Sequence, residues 1–203
     1  MTIRKHEPWG WSGVLPPHGV VVRSDREAAL IVTTARRAGE PIPPLGLLGG
    51  DLCRTLGGTG DEARLHSAEA MTLPVDLGSV LIDGRLHWFV AHLVARHSWW
   101  WGRTVVAMNA QYLGDWDVAP RGHPNDGRLD VLDGNLPLGQ RIQARRRLPF
   151  GTHLPHPRIE QRQVGAQQID LDRSTPVELD GVRVGSAKAL SLRVEPDALL
   201  CVV

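Results

Sequence analysis

The chain has little of what would mark a partner or a compartment. Its 203 residues contain two cysteines, Cys53 and Cys201, far apart and too few for a disulfide framework. With no recognisable leader at the start, that usage suggests a reducing compartment and a cytoplasmic protein. The formal net charge is +1 with 22% charged residues, so no whole-molecule field attracts nucleic acid, and an anionic partner has to meet a local patch. No apolar run approaches the roughly 20 residues of a membrane span. There is no internal repeat and no low-complexity tract. What remains is a chain long enough for a buried core, in one domain or two small ones.

The N-terminal part reads as α/β. Residues 1–19 hold Pro8, Trp9, Trp11, Pro16 and Pro17 without a steady period, an extended arm whose indoles cover an apolar edge. Residues 19–23 (GVVVR) match a short buried strand, of the kind a parallel sheet uses. Ser24, with Glu27 three places on, forms a capping-box pattern for a helix whose apolar face is Ala28, Leu30, Ile31, Ala35 and Ala38 and which Gly39 and Pro41 end. A further strand is expected over 44–48, which makes a β-α-β unit. Gly49-Gly50 and Asp51 then lead into a short helix, where Asp51 is either an ordinary N-cap or a functional carboxylate. Residues 58–72 are polar and read as a connecting loop.

Beyond residue 72, strands dominate. Residues 79–82 and 86–93 flank Asp83-Gly84 as a hairpin. His87 and His92, five apart, fall on opposite faces of the latter strand and are not expected to share a metal. Trp99, Trp100 and Trp101 sit between two strands. At least one ring is expected to be exposed, and such a surface suits a lipid or other amphiphile, a second subunit of a homo-oligomer, or an edge of the core. A strand over 103–111 follows, and a helix over 138–148 carries Arg141, Arg145, Arg146 and Arg147, either a solvated face or a patch for phosphate or an anionic lipid surface. His153 and His156 border a proline-rich turn. Short strands expected at 159–164, 168–171, 177–184, 189–194 and 198–203 make a β-sandwich the best architecture for this part. The expected fold class is therefore mixed α/β and β-rich, with a truncated Rossmann-like part at 1–57, a loop at 58–72 and an antiparallel β-sandwich at 73–203.

The centre of the pattern is 120–131, read PRGHPNDGRLDV, in which an Asp-Gly turn precedes an alternating strand. Asp126 and neighbouring carbonyls offer hard oxygen ligands for magnesium or calcium, although a plain hairpin turn has the same sequence. Together with Met108-Asn109-Ala110-Gln111-Tyr112-Leu113-Gly114, Ala119-Pro120, Gly151-Thr152-His153, Leu179-Asp180-Gly181 and Val194-Glu195-Pro196-Asp197-Ala198-Leu199, this stretch resembles, in the same order, the diacylglycerol kinase and sphingosine kinase catalytic family.

The resemblance implies an ATP- and magnesium-dependent lipid kinase. It implies magnesium at Asp126, with the carbonyl of Arg128 and a group near His123, and acid-base chemistry at a late Asp-Gly-Glu motif. It also implies phosphate binding by two loops, matched here by Ser24 and Asp25 and by Gly49, Gly50 and Asp51. Three departures fall on this apparatus. The loop at Arg23-Ser24-Asp25-Arg26-Glu27 has no glycine, the loop at Gly49-Gly50-Asp51 is shortened relative to the family pattern, and the late motif reads Asp180-Gly181-Val182. The expectation is a diacylglycerol-kinase-like protein with a degenerate ATP site, weak or absent phosphoryl transfer, and a binding or scaffold role. The alternative is a small active kinase.

Overall fold

The structure, a computed structural model, describes residues 9–203. Pro8 and the rest of the first eight residues of the expected arm lie outside the described residues. In chain order the elements are β1 (Trp11–Ser12), β2 (Val20–Val22), α1 (Asp25–Ala38), β3 (Leu45–Leu47), α2 (Asp51–Thr55), β4 (Met71–Ile82), β5 (Arg85–Phe89), β6 (His92–Arg96), β7 (Thr104–Met108), β8 (Tyr112–Leu113), β9 (Trp116–Asp117), β10 (Leu129–Gly134), α3 (Leu138–Arg147), β11 (Ile159–Val164), β12 (Ala166–Leu179) and β13 (Val182–Val202). The fold is mixed α/β and strand-rich, with most strands in one antiparallel sheet ordered β1-β4-β13-β12-β6-β7-β10-β11.

The β-α-β unit forms for the reasons the sequence offers. Ser24 Oγ accepts the Glu27 amide at 3.2 Å, and Glu27 Oε2 accepts the amide of Arg23 at 2.8 Å, one residue earlier than a capping box would place it. Such a cap stabilises the helix by about 1 kcal/mol. Ala28, Val32 and Ala35 are buried on one face of α1, and Gly39 closes it in a left-handed conformation with φ +70°. β2 and β3 pair in parallel. The other edge of β3 pairs in parallel with the end of β13, Leu45 opposite Cys201. Val22, Val32, Leu45 and Leu47 accordingly share one core with Leu73, Val75, Leu77 and Leu199.

The rest of the sheet curls around another core that includes Val80, Phe89, Leu93, Val105, Leu129, Val131, Val177 and Leu192. Gly78 is needed there, since a Cβ at that position would lie 2.3 Å from the Phe89 ring. The curl also depends on register shifts in the β12–β13 pair and between Glu195 and Leu199 in the β13–β4 pair. Such irregularities bend a strand without ending it. They are why the short strands expected at 168–171, 189–194 and 198–203 are pieces of two long ones. The strand expected over 177–184 is interrupted at Asp180-Gly181, which closes the hairpin between β12 and β13 (φ +48° and +77°).

Two further expectations change. The strand expected at 86–93 breaks after Phe89, because the consecutive amides of Val90, Ala91 and His92 all turn to one carboxylate, that of Asp180. His92 therefore begins a separate strand, β6, and is not on one strand with His87. The loop expected at 58–72 contains a 3-10 turn, Arg64–His66, whose Leu65 is buried with Leu15, Ala70 and Val202, and β4 already starts at Met71.

Candidate functional site

Where the β-α-β unit meets the curled sheet, Asp25, Asp51 and His92 converge, each with one ligand-type atom within 4.8 Å of the others. Asp25 is the first residue of α1, yet its carboxylate crosses to the start of α2, accepting the amides of Asp51 (2.6 Å) and Leu52 (3.1 Å). Asp51 is not the cap of its own helix. Gly50 takes the cap position, and Asp51 accepts from His92 Nε2 at 3.1 Å and from the Gly114 amide at 3.0 Å. Gly50 makes this packing possible: its φ is +96°, and a Cβ there would stand 2.5 Å from Asp25 Oδ1. A Cβ at Gly49 would stand as close to the Arg23 carbonyl oxygen. The glycine pair serves the contact between the two loops.

Asp180 stands behind this cluster. Its carboxylate accepts amides from Val90 (2.8 Å), Ala91 (2.9 Å) and His92 (3.0 Å), while its own amide donates to the His92 carbonyl at 2.9 Å. Burial pushes the Asp180 carboxyl up to about 6 against the opposing pull of His92 and these amides. Burial also raises Asp25. Asp51, despite desolvation, is held below the usual carboxylate range by His92 and Gly114, and His92, despite burial, is raised by its bond to Asp51 and by the charges of Asp180, Asp51 and Asp25. Of the sequence-singled residues, the fold brings together Asp25, Gly50, Asp51 and Asp180. Ser24 is spent on capping α1. His92 escapes sequence reasoning as a member because its partners are distant in the chain. The one local signal is a histidine closing the apolar run Trp88-Phe89-Val90-Ala91.

The Asp126 turn lies elsewhere and is organised by Asp76, which no motif marked. Asp76 Oδ2 accepts the Gly127 amide at 2.6 Å, and its Oδ1 accepts the Asp197 amide at 2.9 Å. Asn125 Nδ2 donates to Asp197 Oδ1, and the buried Asn109 donates to the carbonyls of Asp76 and Val90, both at 2.8 Å. Three of the ordered motifs thus meet around one strand residue. Asp126 Oδ1 accepts the Arg128 amide at 2.9 Å in a local Asx turn. Burial raises the Asp126 carboxyl, and Asp76 adds to the effect. A half-buried carboxylate beside another, with turn carbonyls around it, is donor chemistry that fits magnesium. Beside it, burial lowers the pKa of His123 against the pull of Asp126 and Asp76, and its Nδ1 accepts the Asn125 amide at 3.2 Å.

On the far side of the β8–β9 hairpin an apolar cavity of about 110 Å³ opens between the sheet and α3, lined by Trp99, Leu113, Trp116, Leu132 and Leu148. Trp99 packs edge-on against Trp116, whereas Trp100 and Trp101 are 47% and 64% exposed in a turn between β6 and β7. The expected basic patch divides. Arg145 lies over the rings of Trp100 and Trp116, and Arg146 and Arg147 are exposed. Arg141 is buried in the cavity wall, donating to carbonyls of Trp99, Gly102 and Leu136 and to Thr104 Oγ1, with no carboxylate partner among the described residues, and burial lowers its pKa. His153 also lines the cavity, and among the described residues its ring nitrogens have no close hydrogen-bond partner, the Val118 backbone acting on it only weakly. Burial lowers its pKa, outweighing Asp117 and the Val118 backbone. His156 accepts the Arg158 amide instead and does not join it.

No curated protein matches this sequence. Among solved structures, a protein assigned as a diacylglycerol kinase in Bacillus anthracis superposes with a TM-score of 0.68 at 15% identity, covering 91% of this chain and 77% of its own. Another from the same organism, described as a diacylglycerol kinase, gives 0.55 at 16% identity over 79% of this chain and 66% of its own. At such identities the likeness is one of fold. The curled sheet that carries Asp126, the cavity and Asp180 is matched more directly: residues 77–203 fit the model of the YegS C-terminal NAD kinase beta sandwich-like domain, and the chain belongs to that family, as the order of its motifs implied.

Proposed function

We propose that this protein is a diacylglycerol-kinase-like binding protein that takes the tail of a lipid or similar amphiphile in the cavity beside Trp99, with weak or absent phosphoryl transfer. The observation that carries the reading is the cavity itself, an apolar space walled by two indoles whose mouth is flanked by Arg145 and the exposed Trp100. Tails are held by apolar burial, and a nearby guanidinium favours an anionic or phosphorylated head. The loss of phosphoryl transfer is supported by the two loops that the resemblance assigns to phosphates. They pack on each other, and the Asp25 carboxylate occupies the amides at the start of α2. An anionic phosphate would have to displace a carboxylate from those amides.

If magnesium binds, Asp126 and the turn carbonyls would hold it, supplying charge neutralisation near an anion. The alternative, a small active kinase, is favoured by one observation, the convergence of Asp25, Asp51 and Asp180 on a histidine positioned for proton transfer. The test pairs calorimetric titration of ATP with magnesium against displacement of a fluorescent fatty-acyl probe. Probe binding lost in Val106→Trp, which fills the cavity, without saturable ATP binding up to about millimolar, is the expected result. Saturable ATP binding favours the kinase, and probe binding unaffected by the filled cavity overturns the tail site.

A further inference from the structure

We propose that Asp25, Asp51 and His92 form a binding site for a divalent transition-metal ion of the manganese or zinc type, separate from the turn at Asp126. The ligand atoms come from three segments, the start of α1, the start of α2 and the start of β6, and all lie within 4.8 Å of one another. His92 Nε2 and Asp51 Oδ2 are 3.1 Å apart. Two ligands each about 2.1 Å from a shared cation and at right angles to each other are about 3.0 Å apart, so a cation can replace the proton between them with little movement. That proton leaves to solvent on binding.

Lone pairs remain for the purpose. Each Asp25 oxygen accepts a single amide, and Asp51 Oδ2 keeps its bond from Gly114 when the His92 proton is exchanged for a metal. The amides that fix both carboxylates, and the Asp180 contacts that fix the His92 backbone, are the kind of outer support that orients ligands in metal sites.

One observation beyond the cluster itself points to a missing cation, the balance of charge around His92, an imidazole only 5% exposed whose Nε2 faces Asp51. Three carboxylates, those of Asp25, Asp51 and Asp180, surround a single imidazole, and among the described residues no lysine or arginine forms an ion pair with any of them, Arg54 acting on Asp51 only at longer range. Buried negative charge in excess is costly unless compensated. An imidazole with two carboxylates suits manganese or zinc better than magnesium, which prefers oxygen ligands throughout.

The site needs neither nucleotide nor lipid, so its failure and that of the lipid-binding reading are distinguishable. Manganese chloride is titrated into metal-stripped, ligand-free protein by calorimetry, and the bound ion is probed by pulsed electron paramagnetic resonance for coupling to an imidazole nitrogen. The expected result is a saturable site with nitrogen coupling. His92→Asn should remove the coupling and weaken binding by about tenfold or more, since even an outer-shell partner is worth that much. Asp83→Asn, in the exposed turn between β4 and β5, should leave both unchanged. Should His92→Asn fail to fold, the nitrogen coupling in the unsubstituted protein and the Asp51→Asn variant decide. Absence of nitrogen coupling, or binding abolished by Asp126→Asn and untouched by Asp51→Asn, overturns the proposal.

Discussion

Asp126-Gly127 and Asp180-Gly181 are the same dipeptide in turns of the same sheet, and the fold gives their carboxylates opposite circumstances. Asp180 is buried and saturated, its oxygens taken by the amides of Val90, Ala91 and His92. Asp126 is half-buried and accepts a single amide, that of Arg128, from its own turn. The Asp180 carboxylate stands in for a strand partner where β5 gives way to β6. The Asp126 carboxylate is left free to meet something from outside. What separates them is the number of backbone donors that the surrounding strands aim at the turn.

The contrast can be broken most forcefully at Asp180. Asp180→Ala leaves three buried amides without an acceptor and is expected to destabilise the protein by about 3 kcal/mol or more, which chemical denaturation would measure. A loss under about 1 kcal/mol would mean that water or a shifted carbonyl replaces the carboxylate. Arg141 is the cationic counterpart of Asp180, a buried charge satisfied by backbone carbonyls instead of amides. Arg141→Leu should cost about 2 kcal/mol and loosen the turn carrying Trp99, and thermal melts together with indole fluorescence would follow both effects.

His153 sharpens the comparison from the other side, since it is as buried as Asp180 but has no close side-chain hydrogen bond among the described residues. Its folded pKa lies below the ordinary 6.5, so the unfolded chain takes up the proton first. The stability this neutral histidine contributes is fully present above 6.5 and is lost as pH falls through the lower folded value. The melting temperature should therefore fall on acidification below about pH 6.5, and less steeply in His153→Leu. Parallel curves for the two proteins would show that His153 does not titrate with unfolding. The smallest stability effect is expected at Asp126: Asp126→Asn keeps the Asx turn and should cost no more than about 0.5 kcal/mol, while a magnesium-dependent rise in melting temperature, if present in the unsubstituted protein, should disappear.

Much of the local structure is legible in the sequence because it depends on neighbours in the chain. Ser24, Glu27 and Gly39 bound α1 where the capping pattern puts them, and the valines at 20–22 form the parallel strand expected of them. The turn at 125–127 and the strand after it follow the alternation of their residues. The candidate site is less accessible. Asp51 has the sequence context of an N-cap, but the cap position belongs to Gly50, and the amides of α2 are met by Asp25 from another helix. His92 has the spacing of one face of a long strand, and three amides turning toward Asp180 break that strand.

By itself the sequence determined the opening β-α-β unit, the strand-rich sandwich that follows it, and the family, because periodicity, caps and turn dipeptides act over a few residues and the motifs keep their order along the chain. Only the tertiary structure decided that Asp25, Asp51 and His92 meet, that Asp76 gathers the scattered motifs, and that Trp99 faces a cavity while Trp100 and Trp101 face solvent. Those outcomes depend on pairings between residues far apart in the chain, on the register of strands β4, β12 and β13, and on which buried donors are left for each carboxylate. No local pattern encodes that supply of hydrogen-bond partners.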